Sequence, residues 1–408
     1  MFASIPRAFA PVVVIVTAAL GVASAAFGQR VTLVDEQVIC RLPAMEGGTI
    51  YRAPLWAAKL SPDGKTIVYG EWVGDPPPPG DRRGGDRQGG RAQFVIRRLD
   101  TAPGAKNVEF RPDVGPTTGA DVFSLLDRPT QPFSPNGKLL LLPDCTKPEP
   151  PGGEKRRPIL VCETETGRIA RTDIRADLRY GRIDASNHLL LYMSGQAYSL
   201  ETGKRVKQFG YMGFVEAASP VAPLALVNTG IEGTPDTPNR VLVWNLRDDR
   251  LLATLPTNFR HPYTDDVSPE WTSDGTYIYF VDVTDEKDPE RPRITKVWNV
   301  KTGQLVGQPF REAIPMGPGP LPGTMFLRQW RGEETAHVLH DAESGARVEL
   351  PLKFDAVKDA LGDKVAYVKS LDGNPHLCVA TVKWDLPGKP AAVRLNRTRA
   401  DGDMRRKR

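Results

Sequence analysis

The segment Arg260–Asp266 is the most polar cluster in this sequence whose side chains could do chemistry. It places His261 and Tyr263 just ahead of two adjacent carboxylates, Asp265 and Asp266. Carboxylate and hydroxyl oxygens are the ligands that Ca²⁺ prefers in proteins. The segment is therefore a candidate for holding a cation or orienting a ligand, and the alternative is an ordinary polar loop.

A second candidate is the basic insertion at residues 74–92, where four prolines precede a run of Gly, Arg and Asp. Its arginines include Arg82, Arg83 and Arg87. Such a segment cannot bury enough apolar area to fold by itself. Its Arg-Gly-Gly character is similar to RNA-binding segments. The three aspartates among its residues, together with the export signal described below, argue against nucleic acid as a partner.

The common catalytic patterns are missing from the sequence. It contains no G-x-S-x-G, H-E-x-x-H, C-x-x-C or Walker A motif, and we predict no catalytic residue, metal or cofactor from it. His337 and His340 are three residues apart, a spacing that points to opposite sides of a strand. The acidic run that begins at Asp282 lacks the glycine-centred spacing of a calcium loop, which predicts a solvated loop tip.

The sequence contains four cysteines, and in an exported protein cysteines can pair as disulfides. Cys145 and Cys162 flank the insertion at residues 146–158, so a bridge between them would clamp the base of that loop. Cys40 and Cys378 lie near the two ends of the repeat region, where a second bridge could join the ends. The alternative is that all four are small buried hydrophobic side chains.

The composition and the two ends of the chain limit the class of protein. The 408 residues include 38 Gly and 38 Pro, while 40% are hydrophobic, which predicts a turn-rich, mostly β protein and excludes a coiled coil. Residues 1–28 have the basic start, apolar run and small-residue exit of a signal peptide; the alternative is an uncleaved membrane anchor. We expect an exported protein, periplasmic or extracellular, with no stable membrane span after cleavage. At the other end of the sequence, the basic composition of residues 396–408 predicts a disordered tail.

Two kinds of hairpin alternate along residues 30–395. The first joins two apolar strands by an Asp-Gly or Asn-Gly turn, as at Ser61–Lys65 and Ser134–Lys138. These dipeptides are favoured where both turn positions need positive φ. The second hairpin has a polar turn such as Lys301–Gly303. Their alternation gives four strands per repeat, which is the blade of a β-propeller.

The Ser-Pro-Asp-Gly-Lys turn at residues 61–65 strengthens this interpretation. So do three pairs of a tryptophan and a polar residue, which are Trp244-Asn245, Trp298-Asn299 and Trp384-Asp385. In these features the chain resembles the WD40-like propellers and their periplasmic TolB-like relatives. The resemblance covers nearly all of residues 30–395. It implies an all-β fold made of a single β-propeller.

The number of blades follows from the count of hairpins, because the length fits either seven or eight. The sequence contains seven turns of the Asp-Gly type and eight hairpins of the second kind. The surplus copy, Val31–Leu42, lies at the N-terminus. We therefore predict seven four-stranded blades, with this strand docking on the last blade to close the ring; eight blades are the alternative.

The insertions indicate which face of the disc binds. We call the strands of each blade a to d in chain order. Successive strands alternate in direction, so the b–c and d–a connections emerge on one face, here named the long-loop face, and the a–b and c–d turns on the other, the short-turn face. The insertions at residues 74–92, 146–158, 231–239 and 284–293 are all b–c connections, and Arg260–Asp266 is a d–a connection. Insertions confined to one face often mark the binding surface.

The leading functional hypothesis is an exported, non-catalytic binding or scaffold propeller that takes a protein or a small ligand on the long-loop face. Its candidate binding residues are Arg82, Arg83, Arg87, Arg260, His261, Tyr263, Asp265 and Asp266. The alternative is a propeller enzyme of the hydrolase or lyase type, with His261, Asp265 and Asp266 at the mouth of the central channel on the same face.

Overall fold

The computed structural model of the chain describes residues 30–42, 57–73, 91–99, 108–118, 122, 125–126, 131–146, 157–176, 178, 181–229, 240–256, 269–283, 293–332, 334–352 and 357–386. These residues form seven antiparallel sheets. The innermost strands of five neighbouring pairs of sheets contact one another, and hydrophobic clusters join the seventh sheet to its two neighbours to complete a ring. The prediction of a single all-β propeller with seven blades is confirmed.

The N-terminal half of the described chain supplies the strand that closes the ring and blades 1 to 3. The closing strand is β1 (Arg30–Arg41). Blade 1 contains β2 (Ala58–Leu60), β3 (Thr66–Val73), β4 (Arg91–Arg98) and β5 (Glu109–Phe110), with β6 (Thr117–Thr118) paired to β4. Blade 2 contains β7 (Leu139–Pro143), β8 (Arg157–Glu163) and β9 (Ile169–Ala176), and its inner strand is reduced to a bridge from Phe133 to Leu140. Blade 3 contains β10 (Arg182–Ile183), β11 (Leu189–Leu191), β12 (Gln196–Ser199) and β13 (Arg205–Gln208), with a 3-10 turn at Met193–Gly195.

The C-terminal half supplies blades 4 to 7. Blade 4 contains β14 (Phe214–Ala218), β15 (Leu224–Asn228), β16 (Val241–Asn245) and β17 (Arg250–Thr254). Blade 5 contains β18 (Glu270–Trp271), β19 (Tyr277–Val283), β20 (Arg293–Asn299) and β21 (Gln304–Arg311). Blade 6 contains β22 (Ala313–Pro318), β23 (Thr324–Arg331), β24 (Glu334–Asp341) and β25 (Arg347–Glu349). Blade 7 contains β26 (Val357–Leu361), β27 (Lys364–Leu371) and β28 (Asn374–Asp385), and β1 is its outer strand.

The a–b turns repeat one hydrogen-bond pattern, which explains the recurring Ser-x-Asp/Asn-Gly residues. In blade 1 the Asp63 carboxylate accepts from the Ser61 hydroxyl at 2.6 Å and from the Lys65 amide at 3.1 Å. Blade 2 repeats this around Asn136. The turns differ from the sequence expectation in one respect: only one turn position has positive φ, which is the glycine in the Asp-Gly and Asn-Gly turns, 67° at Gly64, and Asn187 at 64° in blade 3. The preceding Asp or Asn stabilises the turn through its side chain instead.

Among the described residues, seven hydrophobic clusters hold the blades together, one at each interface between neighbouring blades. The cluster between blades 4 and 5, for example, packs Leu226 and Val243 against Ile278 and Phe280. Strands of blades are apolar on both faces because each sheet is covered on both sides by its neighbours. The interfaces between successive blades repeat this arrangement around the ring.

The closing strand β1 ties the ends of the ring together. It pairs antiparallel with β28 from Arg30↔Asp385 to Arg41↔His376. On the blade 7 side, the Glu36 carboxylate accepts hydrogen bonds from the Tyr367 hydroxyl and from Lys369 Nζ, the latter at 2.8 Å. On the blade 1 side, Arg97 donates to the Ile39 carbonyl oxygen. The predicted closure by Val31–Leu42 is therefore confirmed, with contacts to both neighbours.

All four cysteines are free thiols, and the strand register explains why the two considered bridges are not formed. Cys162 lies opposite Leu140, whereas Cys145 stands five residues after Leu140 and two residues beyond the end of β7. Cys40 packs in the cluster between blades 7 and 1, while Cys378 belongs to the cluster on the other face of its sheet. Burial raises the pKa of the Cys162 and Cys378 thiols to about 11. They behave as small buried hydrophobic side chains.

The described part of the chain contains no helix with the length and apolar character needed to cross a bilayer.

Candidate functional site

The residues proposed for binding from the sequence lie outside the described residues, and they stay predictions. This holds for Arg82, Arg83 and Arg87 in the connection from β3 to β4, and for the segment Arg260–Asp266 between β17 and β18. The strand order does confirm that the four insertions share one face. The connections after β3, β7, β15 and β19 are all b–c connections, so the strands that they join end on the long-loop face.

A cavity of about 100 Å³ occupies the centre of the ring. Residues from all seven blades line it, most of them from the innermost strands. It extends from the middle of these strands to the a–b turns, where Pro62, Pro135 and Pro220 contribute. This part of the channel lies toward the short-turn face, whereas the alternative enzyme hypothesis placed its site at the channel mouth on the opposite, long-loop face.

Charged side chains from five blades form a ring in this cavity, which we call the channel ring: Lys59, Arg182, Glu216, Glu270 and Asp359. Three of them hold one position of the repeat. Lys59, Arg182 and Glu270 each stand two residues before the side chain that opens the a–b turn, namely Ser61, Asp184 and Thr272. The repeat thus directs this position of the inner strand to the channel.

The first pair in the channel ring joins the first blade to the last. Lys59 Nζ lies 3.4 Å from Asp359 Oδ1, and both side chains are less than 10% exposed. The other carboxylate oxygen of Asp359 accepts the backbone amide of Leu60 at 2.8 Å. A buried charge needs such partners because the loss of its hydration is otherwise costly.

The second pair joins blades 3 and 4. Arg182 Nε donates to the Glu216 carbonyl oxygen at 2.7 Å, and another guanidinium nitrogen donates to the Gly181 carbonyl oxygen at 2.9 Å. Asn228 donates to the Glu216 carboxylate at 3.2 Å. Burial lowers the pKa of Arg182, and the negative charges of Glu216 and Glu270 oppose that shift. The Arg182 guanidinium and the Glu216 carboxylate are thus both held by neighbouring groups.

Glu270 is the fifth member of the channel ring. The backbone of Glu270 pairs with Tyr279 in the sheet, but within the described part of the chain no group donates a hydrogen bond to its carboxyl. Burial raises its pKa to about 8, although the positive charges of Arg182 and Lys59 act in the opposite direction. A carboxyl with this pKa is mostly protonated at pH 7. It can therefore donate a hydrogen bond, or become a partly buried anion when a cation approaches.

Apolar side chains complete the cavity wall. Phe133, Trp271 and Met316 line it together with the turn prolines. Trp271 is 2% exposed, and its indole nitrogen finds no hydrogen-bond partner in the described structure. The cavity therefore combines a polar ring with an apolar wall, an arrangement typical of small-molecule sites.

The two histidines that the sequence assigned to opposite sides of a strand do lie that way on β24. His340 packs toward blade 5, with its Nδ1 2.7 Å from the Tyr279 hydroxyl. His337 instead lies beside the Met316 sulfur. Burial lowers the pKa of His340 to about 4. In the described ranges, no three His, Cys, Asp or Glu side chains form a group able to hold a metal ion.

Asp282 corrects one expectation, since it is not part of a solvated tip. It is 1% exposed on β19 and its carboxylate lies 2.5 Å from Lys296 Nζ on the adjacent strand. The rest of the acidic run that follows, beginning at residue 284, lies outside the described residues. Strand β19 simply continues further than the apolar pattern suggests.

The chain is similar to solved structures of three proteins from different organisms. The β-propeller domain of the trilobed protease from Pyrococcus furiosus is 14% identical with a TM-score of 0.46, and the match covers 82% of this chain and 100% of that one. Hydrazine synthase from Kuenenia stuttgartiensis is 14% identical with a TM-score of 0.39, over 60% and 77% of the two chains. TolB from Acinetobacter baumannii is 12% identical with a TM-score of 0.36, over 79% and 83%. No protein-family model and no curated protein matches the chain.

Proposed function

We propose that this protein is an exported binding propeller that takes a protein or ligand on its long-loop face without chemical turnover. The observation that carries the proposal is topological. All four long b–c connections join strands that end on this face. Loops on a rigid scaffold carry binding function more often than the scaffold itself. Here the scaffold is a closed ring with a packed cluster between each pair of blades.

Export to the periplasm or the outside of the cell is part of the same proposal. It rests on residues 1–28, whose basic start, apolar run and small-residue end have the composition of a signal peptide. In the exported protein, the proposed binding residues are Arg82, Arg83 and Arg87 near blade 1 and Arg260–Asp266 between blades 4 and 5. These two groups differ in charge, so a partner with both acidic and basic groups would complement them.

The alternative is a hydrolase or lyase, and one observation favours it. Glu270 sits in the channel with its pKa raised to about 8, and general acids and bases work best when their pKa lies near the working pH. A screen of hydrolase and lyase substrates that finds turnover in the wild type and none in Glu270→Gln would favour this alternative.

The test of the binding proposal is a charge-matched comparison of the two faces. One variant carries Arg82→Ala, Arg83→Ala and Arg87→Ala. The control removes three exposed cations from c–d turns on the short-turn face, namely Lys204→Ala, Arg247→Ala and Lys301→Ala. Both variants lose the same net charge. They are crosslinked to the exported proteins of the source cells, and crosslinked partners are quantified by mass spectrometry.

We expect the first variant to lose most of the wild-type crosslinks and the control to keep them. Each lost contact with a charged partner group should weaken binding by about tenfold or less, because exposed charge pairs contribute little individually. Equal crosslinking in both variants and in the wild type would contradict a role for this insertion.

A further inference from the structure

The channel ring is not balanced in charge. It contains two cations and three carboxyl groups. Lys59 lies beside Asp359, and Arg182 donates to backbone carbonyl oxygens in the negative fields of both Glu216 and Glu270. Two cations leave one of the three carboxyls without a counter-charge, and Glu270 is the one whose carboxyl accepts no hydrogen bond from the described residues. One further positive charge at Glu270 would make the ring neutral when all its members are ionised.

The surroundings of Glu270 indicate what kind of cation fits. Apart from Gln131, whose side chain bonds to the backbone of Leu60 and Phe133, the remaining wall of the cavity is apolar, with Phe133, Trp271 and Met316 as its largest side chains. A strongly hydrated ion would lose its water there without replacement, which is costly. A cation attached to an alkyl chain instead gains from the contact of that chain with the wall.

The size of the cavity is compatible with such a ligand. Its volume is about 100 Å³, several times the roughly 10–15 Å³ that one water molecule needs. It reaches the turn prolines Pro62, Pro135 and Pro220. A ligand a few carbon atoms long can therefore lie between Glu270 and these turns.

We propose that the central cavity binds a small organic monocation of the primary alkylammonium type, with the Glu270 carboxylate as its counter-ion. This site is separate from the long-loop face, and the two proposals stand or fall independently. The ammonium group lies against Glu270, and its alkyl chain lies against Trp271 and Met316.

Binding of the cation is linked to a proton. Glu270 has a pKa of about 8 in the free protein, set by burial and by the four other members of the channel ring. The cation binds the ionised carboxylate, so Glu270 must release its proton when the ligand enters at pH 7. The apparent affinity should therefore rise about tenfold per pH unit between pH 6 and 8 and level off above that value.

The experiment is isothermal titration calorimetry of the full chain with n-butylammonium chloride at several pH values. Sodium chloride at equal concentration controls for ionic strength, and n-butanol controls for the alkyl chain alone. Titrations in two buffers with different ionisation enthalpies count the protons released. We expect a dissociation constant on the order of a millimolar at pH 8, as for other very small ligands, with nearly one proton released per ligand at pH 7.

The matched variant is Glu270→Gln, which keeps the size of the side chain and removes its charge. It should bind n-butylammonium at least tenfold more weakly, without the pH dependence. Three results would overturn the proposal: no heat of binding in the wild type, equal binding of n-butylammonium and n-butanol, or unchanged binding by the variant. The number of protons released is measured on the wild type alone, so it tests the proposal even if the variant does not fold.

Discussion

Replacing Asp359 by alanine is expected to lower the free energy of unfolding by about 3–5 kcal/mol, the range for breaking a buried ion pair from one side. The variant leaves the Lys59 ammonium buried without its carboxylate, and it leaves the Leu60 amide without its acceptor. These groups belong to blade 1, while Asp359 belongs to blade 7. The loss therefore weakens the contact between the first and the last blade, and urea denaturation measures it.

Two further variants separate the causes of this loss. Asp359→Asn keeps an oxygen for the Leu60 amide but removes the charge that faces Lys59. Combining it with Lys59→Met removes both charges, and this double variant should regain most of the lost stability, because replacing both partners of a buried pair is often neutral. Asp363→Ala in the adjacent turn is the control and should change stability by about 0.5 kcal/mol or less. Wild-type stability in Asp359→Ala would refute the importance of this pair.

Removing the closing strand β1 should destabilise the folded protein more than any of these substitutions. A protein that begins at residue 43 lacks β1, and a protein that begins at residue 30 keeps it. Without β1, the edge of β28 is unpaired, and the cluster around Leu377 and Val379 loses Ile39. Unpaired edges next to apolar surface are templates for aggregation.

We therefore expect the shorter protein to aggregate or to lose its cooperative thermal transition, and the longer one to unfold like the wild type. Circular dichroism with size-exclusion chromatography distinguishes these outcomes. A peptide of residues 30–42 added during refolding should recover part of the folded protein. If the shorter protein unfolded at the wild-type temperature, the ring would not depend on closure by β1.

The blades are predictable from the sequence because their turns are local. The side chains of Asp63 and Asn136 bond to residues two positions away, so each turn is encoded by about five neighbouring residues. The surplus N-terminal copy likewise predicts closure at Val31–Leu42, although this segment is the single strand β1 with a bulge between Val34 and Gln37 and not a hairpin. Both features depend on short stretches of chain, which a single sequence contains in full.

The channel ring is hidden from the same approach because its partners are far apart in sequence. Lys59 and Asp359 are separated by 300 residues. One signal exists nonetheless: a charged residue two positions before the turn interrupts an otherwise apolar inner strand at Lys59, Arg182 and Glu270. Aligning the repeats by their turns would reveal that shared position. The alignment would not tell which charges pair across the channel.

The cysteine pairs show a second limit, which is strand register. Bulges between Val34 and Gln37 and between Val38 and Cys40 shift the pairing of β1 with β28. A shift of one residue exchanges the two faces of a strand, so Cys40 and Cys378 face different clusters. Residue spacing alone does not encode such bulges.

The pH dependence of the free energy of unfolding is the most direct test of whether the Glu270 carboxyl is protonated in the folded protein. Its pKa is about 8 in the folded protein against 4.5 as its ordinary value. Between these values the folded state holds the proton more tightly than the unfolded state does. The contribution of Glu270 to stability is therefore greatest below pH 4.5 and declines as the pH rises to 8, by about 1 kcal/mol per unit.

The measurement is the free energy of unfolding of the wild type minus that of Glu270→Gln, from pH 5 to pH 8.5. Taking this difference removes the contributions of other titrating groups, including His340, whose lowered pKa of about 4 makes stability fall as the pH drops below 6.5. We predict that the wild type loses a few kcal/mol relative to the variant across this range. Parallel curves for the two proteins would contradict a partly buried, protonated Glu270 in the channel ring.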